Sequence, residues 1–306
     1  MNASYRSIVV PLDGSETAET AIPFAIAIAQ RNRAHVALVH VHDRELGTNA
    51  AMVDSRWTDE RAKEMGDAIR ALAERLVRET GLGVTAVTLR GAAAPALVQH
   101  AADHATDLIV MTTHGRSGFS HAWFGSVAES VIHTATTAVL VVRVGDHART
   151  PVAEPLFRHI LLPIDREQAG AEAMQHARTL GTDGQTTYTL LTVVSALPIL
   201  PPPSPSGGWI TGDPDFERRG TDAAALLERI AATSRPTGAA INIRVATHEQ
   251  AAPAILEVAG STTDLIVMPT HPRGAFSRAL LGSVVDKVMR GASVPLLLFR
   301  PSHDVG

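Results

Sequence analysis

The sequence of 306 residues contains no cysteine. That excludes a disulfide framework, a thiolate zinc site, an iron–sulfur cluster and a cysteine nucleophile, and it fits a reducing compartment. A surplus of positive charge is lacking too, since 27 Lys and Arg stand against 31 Asp and Glu, a formal net charge of −4. With no global basic field to attract phosphate backbones, nucleic acid is not an expected partner. Long hydrophobic runs are missing as well. No uncharged apolar stretch approaches the roughly 18 residues of a membrane span, and the first residues lack the basic start and apolar core of a secretory leader. The expectation is a cytoplasmic protein without membrane contact. What is present is a globular mixture, 45% apolar and 19% charged, on a chain whose length suits two domains of about 150 residues each.

The two domains are visible as an internal repeat. Thr106-Asp107-Leu108-Ile109-Val110-Met111-Thr112-Thr113-His114 returns 157 positions later as Thr263-Asp264-Leu265-Ile266-Val267-Met268-Pro269-Thr270-His271, with eight of nine residues identical. The same offset carries Gly125-Ser126-Val127 onto Gly282-Ser283-Val284 and Arg143 onto Arg300. Near the start of each copy, Ile8-Val9-Val10-Pro11-Leu12-Asp13 corresponds to Ile160-Leu161-Leu162-Pro163-Ile164-Asp165 at an offset of 152, so the second copy has gained five residues in between. The stretch from Leu197 to Pro214 is the place for that gain, because its run Pro201-Pro202-Pro203-Ser204-Pro205-Ser206-Gly207-Gly208 can continue neither a helix nor a central strand. The expected organisation is a first domain over 1–146, a linker over 147–155 and a second domain over 156–306.

Within each copy, short runs of Val, Ile and Leu alternate with longer segments of helical spacing, the signature of βαβ units. Copy one reads as strands over 7–11, 35–41, 84–90, 107–112 and 138–143, with helices over 17–31, 57–79, 95–104 and 126–135. Runs such as Leu108-Ile109-Val110-Met111 are continuously apolar, as strands covered on both faces must be. The fold class is therefore α/β: two tandem, doubly wound, five-stranded parallel-sheet domains of Rossmann-like type. In such sheets ligands sit beyond the carboxyl ends of the strands where the strand order reverses.

Two stretches follow the strands that matter. After strand one comes Pro11-Leu12-Asp13-Gly14-Ser15. After strand four come Met111-Thr112-Thr113-His114-Gly115-Arg116-Ser117-Gly118 and then Gly125-Ser126-Val127, opening a helix. Glycines at 115, 118 and 125 permit backbone conformations and close ligand approach that other residues resist, and Ser126 can cap a helix whose free amides attract phosphate. Arg116 and His114 lie within loop reach of phosphate oxygens. Taken alone, such a loop is more often a simple turn. Its place at the expected switch point favours a phosphate cradle.

The order glycine, two residues, glycine, nine residues, glycine-serine, after a V-P-x-D-x-S start, resembles the universal stress protein family, and the resemblance covers both copies nearly end to end. In copy one the first glycine of that motif is Thr112; in copy two, Pro269 and Pro272 replace both leading glycines. The resemblance implies an adenine-nucleotide site with Pro11, Asp13 and Val41 around the adenosine, and with Thr112, Gly115, Gly125, Ser126 and Val127 around the phosphates. The implied ligand is ATP, with Mg as a possible companion. The implied role is regulatory or sensory, with weak ATP hydrolysis or autophosphorylation as the most chemistry to expect. Copy two is expected to bind nucleotide weakly or not at all. The family's pairing through the last strand would let Val139 to Val142 meet Leu296 to Phe299 inside one chain as a pseudo-dimer, with a homodimer of chains as a further step.

Other readings were open from the residues. Neither an S-G-G-x-D-S loop, nor an H-x-G-H motif, nor a G-x-G-x-x-G after the first strand occurs, which argues against nucleotidyl-transfer and dinucleotide enzymes. The pairs His40/His42 and His100/His104 have metal-ligand spacing but are more simply surface or core histidines. A nucleotide-free interaction module of the same fold is the alternative function.

Overall fold

A computed structural model of the chain describes residues 5–42, 55–113, 125–143, 156–195, 215–234, 238–270 and 283–302. Its first half runs β1 (Ser7–Pro11), α1 (Glu16–Glu19), α2 (Ile22–Asn32), β2 (His35–His42), α3 (Ser55–Thr80), β3 (Val84–Arg90), α4 (Ala93–Asp103), β4 (Leu108–Thr112), α5 (Ser126–Thr134) and β5 (Ala138–Val142). The second runs β6 (His159–Pro163), α6 (Glu167–Leu180), β7 (Thr187–Val194), α7 (Phe216–Ser234), β8 (Ala240–Thr247), α8 (Ala251–Ala259), β9 (Leu265–Pro269), α9 (Ser283–Gly291) and β10 (Leu296–Phe299). The sequence-derived strands all form. The single helix expected over 17–31 does not: it divides into α1 and α2. Pro23 explains the break, because it has no N–H to return to the Glu19 carbonyl, and Thr20 instead closes the first turn with bonds to Thr17 and Ala18.

All ten strands form one sheet in the order β3-β2-β1-β4-β5-β10-β9-β6-β7-β8. Within each half every pairing is parallel, and the halves join through antiparallel β5 and β10. Leu140 pairs with Leu297, its own counterpart in the repeat, flanked by Val139 with Leu298 and Val141 with Leu296. A residue paired with its own repeat copy marks a pseudo-twofold axis, so this is a self-complementary interface folded into one chain. All of these residues are buried, and two apolar edges that would otherwise seek partners cover each other.

The core lies in two layers. Ile8, Val10, Leu38 and Leu108 join Ile28, Ala73, Ile160, Leu162, Met174 and Leu227 on one face of the sheet. Val9, Val39, Ile109 and Met111 join Leu97, Val131, Ile255 and Val288 on the other. Alternate residues of one strand enter opposite layers, which is why the strands read as unbroken apolar runs.

The repeated aspartates anchor each sheet. Asp107 Oδ2 accepts hydrogen bonds from the amides of Arg6 (2.7 Å) and Ser7 (2.9 Å). Asp264 Oδ2 repeats this with Arg158 (2.9 Å) and His159 (3.0 Å). The carboxylate at the start of β4 or β9 thus fixes where β1 or β6 begins.

Candidate functional site

β1 lies between β2 and β4, and the chain winds outward to β3 before returning to β4. The crossovers from these two strands leave in opposite directions, which opens a crevice at the carboxyl ends of β1 and β4. Six of the residues singled out in the sequence stand at these two strand ends: Asp13, Gly14 and Ser15 after β1, Thr112 as the last residue of β4, and Gly125 and Ser126 where α5 begins.

On the β1 side, the Leu12 amide extends the ladder to Val39 O (2.8 Å), and Gly14 then turns the chain at φ +79°, a left-handed conformation suited to glycine. Ser15 donates to Asp13 Oδ1 through its amide (2.9 Å) and its hydroxyl (2.6 Å), while its Oγ accepts from the Ala18 amide (3.1 Å). Ser15 is therefore the N-cap of α1, and Asp13 holds the cap in place. Asp13 is left half-buried on the crevice wall. Below it, His40 Nδ1 donates to the Leu12 carbonyl (2.9 Å), bracing the same turn. Pro11 ends β1, and Val41 lies two positions beyond its partner Val39, half-buried against the core layer that holds Val9 and Val39.

On the β4 side, Met111 is buried in that core layer, so its side chain belongs to packing. Thr112 closes the strand opposite Val142, and the buried Thr113 donates to Val142 O (3.2 Å). The Thr113 carbonyl accepts from the Gly125 amide at 2.6 Å, which seats the start of α5 against the end of β4. His114, Gly115, Arg116 and Gly118 lie outside the described residues, as do residues 43–54 and 196–214.

Two expectations change here. Gly125, not Ser126, is the N-cap of α5, and Ser126 is its first helical residue. Gly125 also adopts φ −68°, ψ 142°, a conformation open to any residue, so its value is the missing side chain and not backbone freedom. Having no side-chain oxygen, it leaves the first-turn amides of α5 uncapped from its own position, and Ser126 and Val127 are exposed there. Uncapped first-turn amides with the positive end of a helix dipole suit an anion.

The equivalent crevice in the second half differs. Ile164 repeats the ladder extension to Leu191 O (2.7 Å), and Thr192 replaces His40 in bracing the turn, donating to Ile164 O (2.9 Å). No counterpart of α1 is present among the described residues: α6 starts at once with Arg166 as N-cap, and Asp165 is exposed. Glu167, which stands where Ser15 does, accepts from Arg229 Nε (3.1 Å) and Nη2 (3.0 Å) on α7. Pro269 ends β9, while Pro272 and Gly282 lie outside the described residues. The Glu167–Arg229 tie escaped sequence reading because its partners are 62 positions apart.

One histidine of each pair bonds backbone, His40 as above and His104 at the end of α4. His104 Nδ1 donates to His100 O (2.9 Å), and burial, then neighbouring His104, holds the His100 imidazole below its usual range. Among the described residues no three His, Asp or Glu side chains gather to hold a metal.

The sequence profile described as the universal stress protein family matches residues 4–143 and again 156–300. The chain belongs to the universal stress protein family. Over 98% of its length it is 27% identical to a universal stress protein of Mycolicibacterium smegmatis, covering 99% of that protein. Over 45% of its length it is 35% identical to one from Methanocaldococcus jannaschii, covering 82% of that protein. A crystal structure of a universal stress protein from Archaeoglobus fulgidus matches 99% of this chain and all of that one with a TM-score of 0.72 at 17% identity, a likeness of fold. This universal stress protein is thus a tandem member with the family's Rossmann-like fold in both halves, and none of its described helices is long and apolar enough to cross a membrane.

Proposed function

We propose that this tandem universal stress protein binds ATP in the crevice of its first half and acts in the cytoplasm as a stress-linked regulatory or sensor protein. In this reading residues 1–146 are the nucleotide-binding domain, 147–155 the linker, and 156–306 a structural partner with a degenerate crevice. The observation that carries it is the Thr113–Gly125 bond, which seats the uncapped first turn of α5 beside the Asp13-Gly14-Ser15 turn at the strand-order reversal. Adenosine would rest along Pro11, Asp13 and Val41, with phosphates at Thr112 and the amides of Gly125, Ser126 and Val127. The described residues do not fit a protein-built magnesium site, so a companion Mg²⁺ would be carried by the phosphates.

Denaturing freshly purified protein and identifying the released small molecule by mass spectrometry tests the reading; about one adenine nucleotide per chain is expected. Gly125→Val supplies the second test. Since the backbone at Gly125 suits any residue, a valine adds only bulk at the phosphate position, and ATP affinity by calorimetry should fall at least tenfold with the fold intact by circular dichroism. Unchanged affinity would remove the assignment and leave the nucleotide-free module in front.

A further inference from the structure

The pseudo-twofold axis makes each contact between the halves a pair of related contacts, and in one pair the two members differ in chemistry. Position 5 precedes β1 and corresponds to Phe157 before β6; position 24 on α2 corresponds to His176 on α6. Phe24 stacks on Phe157 with ring centroids 6.4 Å apart. The related contact is Tyr5 with His176, whose rings stack at 5.9 Å and whose Oη and Nδ1 share one hydrogen bond of 2.7 Å. Tyr5 is 2% exposed, and Phe299 also packs against the His176 ring, with centroids 4.6 Å apart. One contact is wholly apolar and the other is a matched polar pair.

We infer that the Tyr5–His176 pair selects which half pairs with which, favouring first with second and penalising either half paired with a second copy of itself. In a first-with-first pairing, Tyr5 of each copy would face Phe24 of the other and bury its hydroxyl without a partner. In a second-with-second pairing, Phe157 of each copy would face His176 and strand an imidazole nitrogen. Each like-with-like arrangement therefore buries two unsatisfied polar atoms, and the mixed arrangement buries none at this contact. That is selection by a penalty on the wrong partner. It matters because the β5–β10 ladder is almost blind: its paired residues are Val, Leu and Val on β5 and Leu throughout on β10, and a purely aliphatic ladder would accept either copy.

The variant Tyr5→Phe/His176→Phe, in the full chain, tests the inference, because it makes both contacts the phenylalanine stack that the protein already tolerates. Wild type and variant, each as a mixture of two differently tagged chains, are unfolded together and refolded near millimolar concentration, the order of the effective concentration set by a short tether. The yield of chains carrying both tags is read by pull-down and by light scattering. The variant should give at least a threefold higher mixed yield than wild type, and it should melt above both single variants, each of which strands one polar atom. A mixed yield equal to wild type would overturn the inference even if stability changed, since the pair would then be an ordinary hydrogen bond. A double variant no more stable than the weaker single would overturn it too.

Discussion

Asp107 and Asp264 were legible in the sequence only as part of a repeated nonapeptide; their work is to hold two amides each at the head of the neighbouring strand. Removing one acceptor leaves two backbone donors to find water, one of them part-buried, so Asp107→Ala should cost about 1–3 kcal/mol. Its thermal midpoint should fall by several degrees, and an unchanged midpoint would show the clamp to be idle. His176 carries a prediction with a sign. Burial pushes its imidazole from an ordinary 6.5 to about 4. The unfolded chain therefore takes up a proton between those values while the folded chain does not, and stability is lost as pH falls from about 6.5 to about 4. The loss is on the order of 3 kcal/mol at most. Urea midpoints at pH 7 and pH 4.5 should converge in the Tyr5→Phe/His176→Phe variant relative to wild type. Neither the depression nor its cause was readable from sequence, because Tyr5 and His176 are 171 positions apart and meet only across the pseudo-twofold axis.

At the scale of elements, strands were the easiest to read. Leu108 to Met111 and Val139 to Val142 are covered on both faces and so show an uninterrupted apolar run. Helix boundaries were harder. Pro23 sat in plain view inside an apolar stretch of helical spacing, yet whether a proline opens a helix or interrupts one depends on where the preceding turn is capped, and that was set by Ser15. The crevice was half legible: the Asp13-Gly14-Ser15 turn and the Gly125 helix start could be placed, but which serine capped which helix could not. Packing between helices was not legible at all. A methyl group added at Gly170 on α6 would lie 2.6 Å from Ile230 Cδ1 of α7 and 2.8 Å from Ile164 Cγ2. Gly170→Ala would raise helix propensity by about 1 kcal/mol, but overpacking costs about 1–3 kcal/mol, and the contact with Ile164 has little freedom to yield. We expect a net loss, read as a lower thermal midpoint, with partial recovery in Gly170→Ala/Ile230→Val. A rise in midpoint would mean that α6 and α7 separate at no cost.

Across the whole molecule, the direction of the strands decides how the two crevices relate. β4 runs parallel to β5, β9 runs parallel to β10, and β5 and β10 are antiparallel. The carboxyl ends of the first half's strands therefore point to one end of the sheet and those of the second half to the other. Among the described residues neither crevice lends a residue to its counterpart, and what joins them is a packed interface of Leu and Val with a few cross-half polar bonds, such as Arg31 to Thr182 Oγ1 (2.7 Å). Sites that share no residue and no partner should behave additively. Asp13 holds the Ser15 cap on the proposed nucleotide wall, whereas Asp165 is exposed beside a Glu167 already tied to Arg229. Calorimetric titration with ATP should therefore give a single-site isotherm, weakened at least tenfold by Asp13→Ala and unchanged by Asp165→Ala. The double variant should match Asp13→Ala alone. A second binding event that vanishes with Asp165→Ala would mean that the second half had kept a working crevice despite its prolines; an effect of Asp165→Ala on the first event would mean that the sheet transmits what its geometry keeps apart.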